Sequence, residues 1–360
     1  MHPLMMKKLL YISVLSLLLF SSCKSKRNLV ASLPQQVIKT DTTQLADTVG
    51  LPSSLSPMLT FDQSDLRNIH RQEVTRAPKK KKKEEPVKIQ KEIVQRGTKI
   101  TTKTIHVSSA YKGVSRIKEY DFTHRDVPAS FEGFRIAFVS DLHYQSLLKE
   151  RELNDLVRLL IDQKADVLLI GGDFHEGCQY VPPVMAALAK VKTPMGTYAV
   201  LGNNDYEACY DDIVEEMNRY GMHLLEHKVD TLRRGNEQIL IAGVRNPFDL
   251  ARNGKSPTLA LSPDDFVILM THTPDYAEDV SIANTDLVLA GHTHGGQVTL
   301  FGLYAPIVPS HYGQRFLTGL KYNSAHVPMI ITNGIGTSQK AVRMFAPAEV
   351  VMIVLHQLKN

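Results

Sequence analysis

The chain has no apolar run of the roughly 20 residues that a helix needs to cross a bilayer. Its one apolar stretch near the start, residues 9–20, is twelve residues long. This argues against a permanent transmembrane anchor. Cysteine is also scarce, with three in 360 residues, at 23, 178 and 209. That is too few for a disulfide framework to stand in for a core. Residues 24–110 lack hydrophobes with any period and are rich in Ser, Thr, Gln, Pro and Lys. Such a segment cannot bury enough apolar surface to offset its ordering entropy. Acidic residues are sparse there too: 17 Lys and Arg face 8 Asp and Glu, a net of +9. Residues 1–23 add +2, so residues 111–360 carry −6 of the total +5. The basic balance therefore belongs to the tail, which excludes a nucleic-acid partner argued from overall charge.

The start of the chain has the parts of a secretory signal. Lys7 and Lys8 give a positive region, residues 9–20 the apolar segment, and Ser21 and Ser22 the small residues before Cys23. Small residues directly before a Cys resemble the lipobox of bacterial lipoproteins, where the Cys is diacylated and becomes the new N-terminus. The expected organisation is a signal peptide at 1–22, a disordered Lys-rich tether at 23–110, whose β-branched residues at 87–107 allow a strand at its end, and a folded domain at 111–360. The expected location is the cell envelope, on a membrane through lipidated Cys23. Residues 79–83 are five consecutive lysines. They suit anionic headgroups, and equally a solvated spacer. Cys178 and Cys209 are expected as free, partly buried thiols, although an exported protein permits a disulfide.

In residues 111–360 the pattern predicts strands at 116–122, 134–139, 166–170 and 196–201. Between them, helices are predicted at 147–163 and 182–190, with a further one at 206–220. Strand and helix alternating in this way signal parallel pairing. Later residues read mostly as strands, at 229–234, 238–244, 266–270, 286–290, 298–300, 327–331 and 350–355. Gly235-Asn236 marks a hairpin. The fold class is α/β (α+β): two packed mixed β-sheets flanked by helices, in one domain large enough for its own core.

Six polar clusters follow these strands. They are Asp141-Leu142-His143, Gly171-Gly172-Asp173, Gly202-Asn203-Asn204-Asp205, Thr271-His272-Thr273-Pro274, Gly291-His292-Thr293-His294 and Thr332-Asn333-Gly334. Strands that all end this way bring Asp, His and Asn to one sheet edge, where open α/β sheets hold their chemistry. Carboxylate, imidazole and amide groups together suit divalent transition metals, whereas Ca²⁺ or Mg²⁺ would be met by oxygen ligands. In extended chain, residues i and i+2 point the same way, so Asp141 and His143 are expected to chelate together. The glycines at 171, 172, 202 and 291 are expected to let the backbone turn sharply.

Singly these clusters are weak signals. In this order, with Asp173 32 residues after Asp141 and Asn203 another 30 on, they are strong. The arrangement resembles the calcineurin-like metallophosphoesterase superfamily, in its exported or membrane-associated subgroup. The likeness runs from about residue 130 to 356 and takes in His294-Gly295-Gly296-Gln297 and Asn333-Gly334-Ile335-Gly336. It implies a four-layer fold and two divalent ions, Mn²⁺, Fe or Zn²⁺. Asp141, His143 and His294 would bind one ion, and Asn203, His272 and His292 the other, with Asp173 bridging. A hydroxide between the ions would attack a phosphate ester, a lipid-linked one being a candidate substrate. The chain departs from the family at Asn204, which stands where a His commonly protonates the leaving group. Asn can donate a hydrogen bond but not a proton. His175 is the alternative acid by proximity, against the reading of a solvent-facing loop His. Two functions stand: a binuclear phosphodiesterase, and a non-catalytic, metal-stabilised lipoprotein that binds a lipid or glycan headgroup. Oligomeric state is not legible.

Overall fold

The structure, a computed structural model, describes residues 88–95, 97–245, 247–248 and 254–359. The signal, Cys23 and the tether as far as residue 87 lie outside the described residues.

Strand and helix alternate from residue 134 onward. Strand β1 (Lys88–Gln95), β2 (Thr98–His106) and β3 (Arg116–His124) lead into β4 (Phe134–Val139). Then come helix α1 (Glu150–Asp162), β5 (Val167–Ile170), α2 (Val181–Leu188), β6 (Thr197–Ala199), α3 (Asn203–Glu207), α4 (Tyr210–Tyr220) and β7 (His223–Leu224). Helix α1 buries Leu153, Leu156, Val157, Leu159 and Leu160 along one face, with Glu150 and Glu152 in its first turn against the positive end of the helix dipole. Helix α4 ends at Gly221, whose left-handed φ of 67° glycine adopts without cost. The second half holds β8 (Lys228–Arg234), β9 (Glu237–Gly243), β10 (Val267–Met270), α5 (Tyr276–Asp279), β11 (Leu287–Ala290), β12 (Gly319–Tyr322), β13 (Pro328–Ile331) and β14 (Glu349–Gln357).

Two mixed sheets result. One has eight strands in the order β1-β2-β3-β14-β4-β5-β6-β7, and the other six in the order β12-β13-β11-β10-β9-β8. β4 to β7 run parallel, as do β9, β10, β11 and β13. The parallel strands β5, β10 and β11 are buried throughout, which is why they read as unbroken aliphatic runs. The core between the sheets includes Phe122, Phe134, Phe138, Phe266, Ile268, Leu289 and Ile353. A second cluster joins the eight-stranded sheet to α1, α2 and α4. A third covers the outer face of the six-stranded sheet with Tyr276, Ala277, Ile282 and Phe316. Helices therefore flank two packed sheets, as the pattern predicted.

Three expectations change. Folded chain begins well before residue 111: β1 and β2 extend the large sheet through β3. In β2, Thr98, Ile100 and Thr102 are buried and Lys99 is exposed, so the buried face is mostly threonine and the composition looked like tether. Residues 298–300 form no strand but isolated bridges to Met344, Phe345 and Tyr304. Cys178 and Cys209 are not free thiols. They form a disulfide, with Cα atoms 5.2 Å apart.

Candidate metal centre

The parallel strands of both sheets end side by side, and their following loops are bonded to each other. The Asp141 amide donates to Gly172 O, Gly171 to Val139 O, Gly291 to His272 O, Thr332 to Ala290 O and Ile335 to Ser140 O. The backbone scaffold under the site is thus shared by the two sheets.

The side chains converge through an unusual backbone. Asp141 (φ 53°), His143 (φ 40°), Asp173 (φ 56°), His292 (φ 68°) and His294 (φ 52°) all occupy the left-handed region. Non-glycine residues enter it rarely, at a cost of order ~1 kcal/mol each, and do so mainly at functional sites. Asp141 and His143 are therefore not on extended chain, and their convergence comes from paired left-handed turns. The glycines also act differently from expectation. Only Gly172, at φ +91°, needs glycine's conformational freedom, whereas a Cβ on Gly202 would run into Asp173 Oδ1 and the His272 ring. Gly171 and Gly291 likewise leave room for Ser140, and Gly291 for Asp141 Oδ2 as well.

At these strand ends two groups of ligand-type atoms lie within 4.8 Å of one another: Asp141 with His143 and His294, and Asp141 with Asp173 and His272. The first is the expected trio. In the second, Asp141 joins Asp173 and His272. Asp173 Oδ2 lies 3.3 Å from His143 Nε2 and 3.4 Å from His272 Nε2, between the two groups. His292 stands beside His272, their ring centres 5.1 Å apart, and its amide donates to both oxygens of Asp141 at 3.0 Å. Asn203 donates through Nδ2 to Asn204 Oδ1 at 2.7 Å, and its own Oδ1 is buried with no hydrogen-bond partner.

The donor set fits cations. His143 Nε2, His272 Nε2 and His294 Nδ1 are also buried without a hydrogen-bond partner. His143 Nδ1 bonds Glu176 Oε1 at 2.6 Å and His272 Nδ1 bonds Gly171 O at 2.7 Å, so in each ring Nδ1 carries a proton and Nε2 is the nitrogen turned to the cluster. Buried polar atoms left unsatisfied are costly; a divalent ion would satisfy several at once. Electrostatics agree. Burial disfavours charge on His143, yet Asp173, Glu176 and Asp141 raise its pKa to about 10. His272 is pushed up to about 9 against the same burial, by Asp173 and Asp141. Burial opposes the charge of Asp173, but His272 and His143 hold its carboxyl well below the usual range. The carboxylates thus create a demand for positive charge in the middle of the cluster.

Asp205, Glu176 and Phe248 were not singled out from sequence, whereas Arg343 reads there as a phosphate contact or a structural salt bridge. Asp205 is fully buried and accepts from the amides of Asp173 (2.7 Å), Gly202 (2.8 Å) and Phe174 (3.0 Å), which fixes the backbone under Asp173. Burial and the neighbouring Asp173 push its own pKa up to about 7. Its place at the end of Gly202-Asn203-Asn204-Asp205 was the available signal. Glu176 orients His143, and only its distance from Asp173 marked it. Arg343 touches no carboxylate. It donates to the carbonyls of His294 (3.1 Å), Asn333 (2.7 Å) and Ala346 (3.0 Å), pinning the His294 loop. Phe248 lays its ring 5.0 Å from that of His292, and no periodicity announces it.

The two candidate acids differ in placement. Asn204 is half-buried, with its amide nitrogen donating to Asp173 Oδ1 at 3.0 Å and its Nδ2 3.4 Å from His143 Nδ1. His175 is not a solvent-facing loop residue. It is 3% exposed, its Nδ1 accepts from the Gly177 amide, and its Nε2 faces Asp205 Oδ1 at 3.8 Å. Burial lowers its pKa.

Comparison with known proteins agrees with this geometry. The family model of calcineurin-like phosphoesterases matches residues 134–296. The metallophosphoesterase YkuE of Bacillus subtilis is 27% identical over 237 residues, 64% of this chain and 81% of that protein. A metallophosphoesterase of Helicobacter pylori strain J99 is 29% identical over 61% of this chain and 59% of its own length. The phosphodiesterase YaeI of Escherichia coli is 28% identical over 62% of this chain and 82% of its own. With buried imidazoles and carboxylates gathered at the strand ends that the family model spans, the chain carries a calcineurin-like metallophosphoesterase domain, that of a metal-dependent phosphoester hydrolase similar to YkuE and YaeI.

Proposed function

We propose that the chain is a binuclear phosphodiesterase of the cell envelope. The observation that carries this reading is the set of buried, unpartnered donor atoms of His143, His272, His294 and Asn203 around two carboxylates. Asp141, His143 and His294 would hold one divalent ion, and Asn203, His272 and His292 the second, with Asp173 shared. Such ions, when bound, supply Lewis acidity and a water acidified towards neutral pH. The chain's own residues do the rest. Asp205 and the Asn204 amide fix Asp173, Glu176 and Gly171 set the tautomers of His143 and His272, and Arg343 holds the loop of His294. Asn204 Nδ2, whose contact with His143 Nδ1 is a long 3.4 Å, has a second hydrogen to donate to a phosphoryl or leaving oxygen without giving up a proton. That favours esters whose leaving group needs none. We assign His175 to support Asp205 instead of to acid catalysis, because its ring is turned to that carboxylate.

Hydrolysis of bis-p-nitrophenyl phosphate, compared with p-nitrophenyl phosphate in added Mn²⁺, tests the assignment. Turnover of the diester in preference to the monoester, with about two transition-metal ions per chain, is expected. Metal uptake without hydrolysis of any ester would favour the headgroup-binding lipoprotein, for which Asn204 is the supporting observation.

The cell-envelope part rests on the signal-like start and Cys23, and the Cys178–Cys209 disulfide supports it, because such bonds persist in oxidising compartments. Two acyl chains would give stable attachment where one would not. Cys23→Ala should move the protein to the soluble fraction or block its processing. Retention of that variant in membranes through a high-salt wash would mean a different anchor.

A further inference from the structure

Eight of the eleven large apolar side chains exposed among the described residues lie at 300–307 and 342–345. Phe301 and Ile307 are each 79% exposed and Leu303 is 84% exposed. Folded domains seldom leave so much apolar surface contiguous unless something covers it.

These side chains form one built tongue. Its tip is a tight turn: Leu303 N donates to Leu300 O at 3.0 Å and Leu300 N to Tyr304 O at 2.7 Å. The second segment is laced to the first, with Thr299 N donating to Met344 O and Met344 N to Gln297 O. The rings of Phe301 and Phe345 meet at 5.6 Å. Both residues hold left-handed backbone, at φ 54° and 56°, an uncommon state for a bulky side chain that marks sites of function. Residues 297–310 contain no Asp, Glu, Lys or Arg. The sole charge within 341–348 is Arg343, which is spent on carbonyls, His294 O among them. The tongue therefore grows from the same loop that carries His294. Beside its base lies a groove of about 720 Å³ lined by Leu147, Leu148, Ile335, Phe345 and Lys112.

We propose that this tongue inserts into the acyl-chain layer of a lipid bilayer, presenting the metal centre to the headgroups. Three observations favour lipid over a rigid partner. The most exposed side chains, Leu303, Phe301 and Ile307, lie on or just after the turn at the tip of the tongue. The tip has no charge to desolvate, as shallow interfacial insertion requires. Sequence places an apolar segment, Cys23 and a Lys run ahead of the domain, which bring it to a membrane surface. The inference rests on that membrane-tether reading and adds a second, orienting contact made by the folded domain.

The chain has no tryptophan, so Leu303→Trp in the full chain creates a unique reporter. With vesicles of phosphatidylcholine and phosphatidylglycerol, its emission should shift to the blue and be quenched by lipids brominated in the acyl chains. Ile307→Trp should behave alike, and Ile161→Trp, on exposed α1 surface, should do neither. Phe301→Ser with Leu303→Ser should weaken vesicle binding by roughly tenfold or more. Sedimentation with vesicles while both tongue reporters keep solvent-like, unquenched emission would overturn insertion and leave the tether standing. Failure to sediment at all would overturn both. A blue shift without vesicles that grows with protein concentration would assign the face to a second copy and also overturn the proposal.

Discussion

Glu176 Oε1 accepts a hydrogen bond from His143 Nδ1 at 2.6 Å, and this one contact decides which nitrogen of the imidazole faces the cluster. Carboxylates behind ligand histidines raise ligand basicity and fix the ring, and their loss typically costs about 10–100-fold in metal affinity. Glu176→Gln is expected to weaken Mn²⁺ binding by about tenfold or more, read by titration calorimetry, with secondary structure unchanged. Unaltered affinity would show that His143 is held in place by its left-handed backbone alone.

Asn204 occupies a position where a proton donor would help a poor leaving group. Asn204→His is expected to raise turnover of alkyl phosphodiesters by roughly one to two orders of magnitude relative to nitrophenyl esters, the usual range for general-acid assistance. Equal effects on both ester types would place residue 204 away from the leaving oxygen.

The disulfide joins two loops that leave adjacent strands, one after Asp173 and one after Asn203. Its sequence separation of 31 residues corresponds to about 3–4 kcal/mol of stabilisation in the chain-entropy account. Cys178→Ser with Cys209→Ser should lower the unfolding free energy in urea by about that amount. It should also loosen metal binding, because Asp173 and Asn203 would no longer be tied from behind. An unchanged midpoint would mean that the reduced chain keeps these loops together without the bond.

Asp286 immediately precedes β11, at the end of the strand away from the metal centre, with its Oδ2 accepting from the Val267 amide at 2.8 Å. Burial pushes its carboxyl up to about 7, with Val267 partly opposing and Asp126 adding to the rise. The folded state thus binds this proton more tightly than the unfolded chain does. Its contribution is present below about pH 4 and is lost as pH rises towards 7. Asp286→Asn keeps the acceptor and removes the charge. It should stabilise the protein by on the order of 2 kcal/mol near pH 8 and leave it unchanged near pH 4. Equal stabilisation at both pH values would point to packing as the cause.

Much of this was legible because hydrophobic runs and polar strand ends obey simple rules. The aliphatic runs at 167–170, 267–270 and 287–290 could only be buried strands, and the clusters after them had to share an edge. What escaped was set by tertiary context. No propensity announces left-handed backbone at Asp141 or His143, because neighbouring loops enforce it. Asp205 and Glu176 read as ordinary acids until the residues they hold are in place. Residues 87–107 offered enough β-branched side chains to allow a strand, but lysine and threonine gave β2 no strong apolar period, so its place in the large sheet was not legible. The pairing of Cys178 with Cys209 depends on β5 and β6 lying side by side, which the residues around each Cys do not encode.

Strand β14 lies between β3 and β4, parallel to one and antiparallel to the other. The middle of the larger sheet is therefore supplied by residues more than 200 positions downstream of the strands it joins. Until residues 349–357 have emerged from the ribosome, β1–β3 have no partner linking them to β4–β7. A chain so arranged stays open late in its synthesis and folds slowly, since its key contacts are remote in sequence. Under the export proposed above, that delay would keep the chain competent to pass a translocation channel before folding.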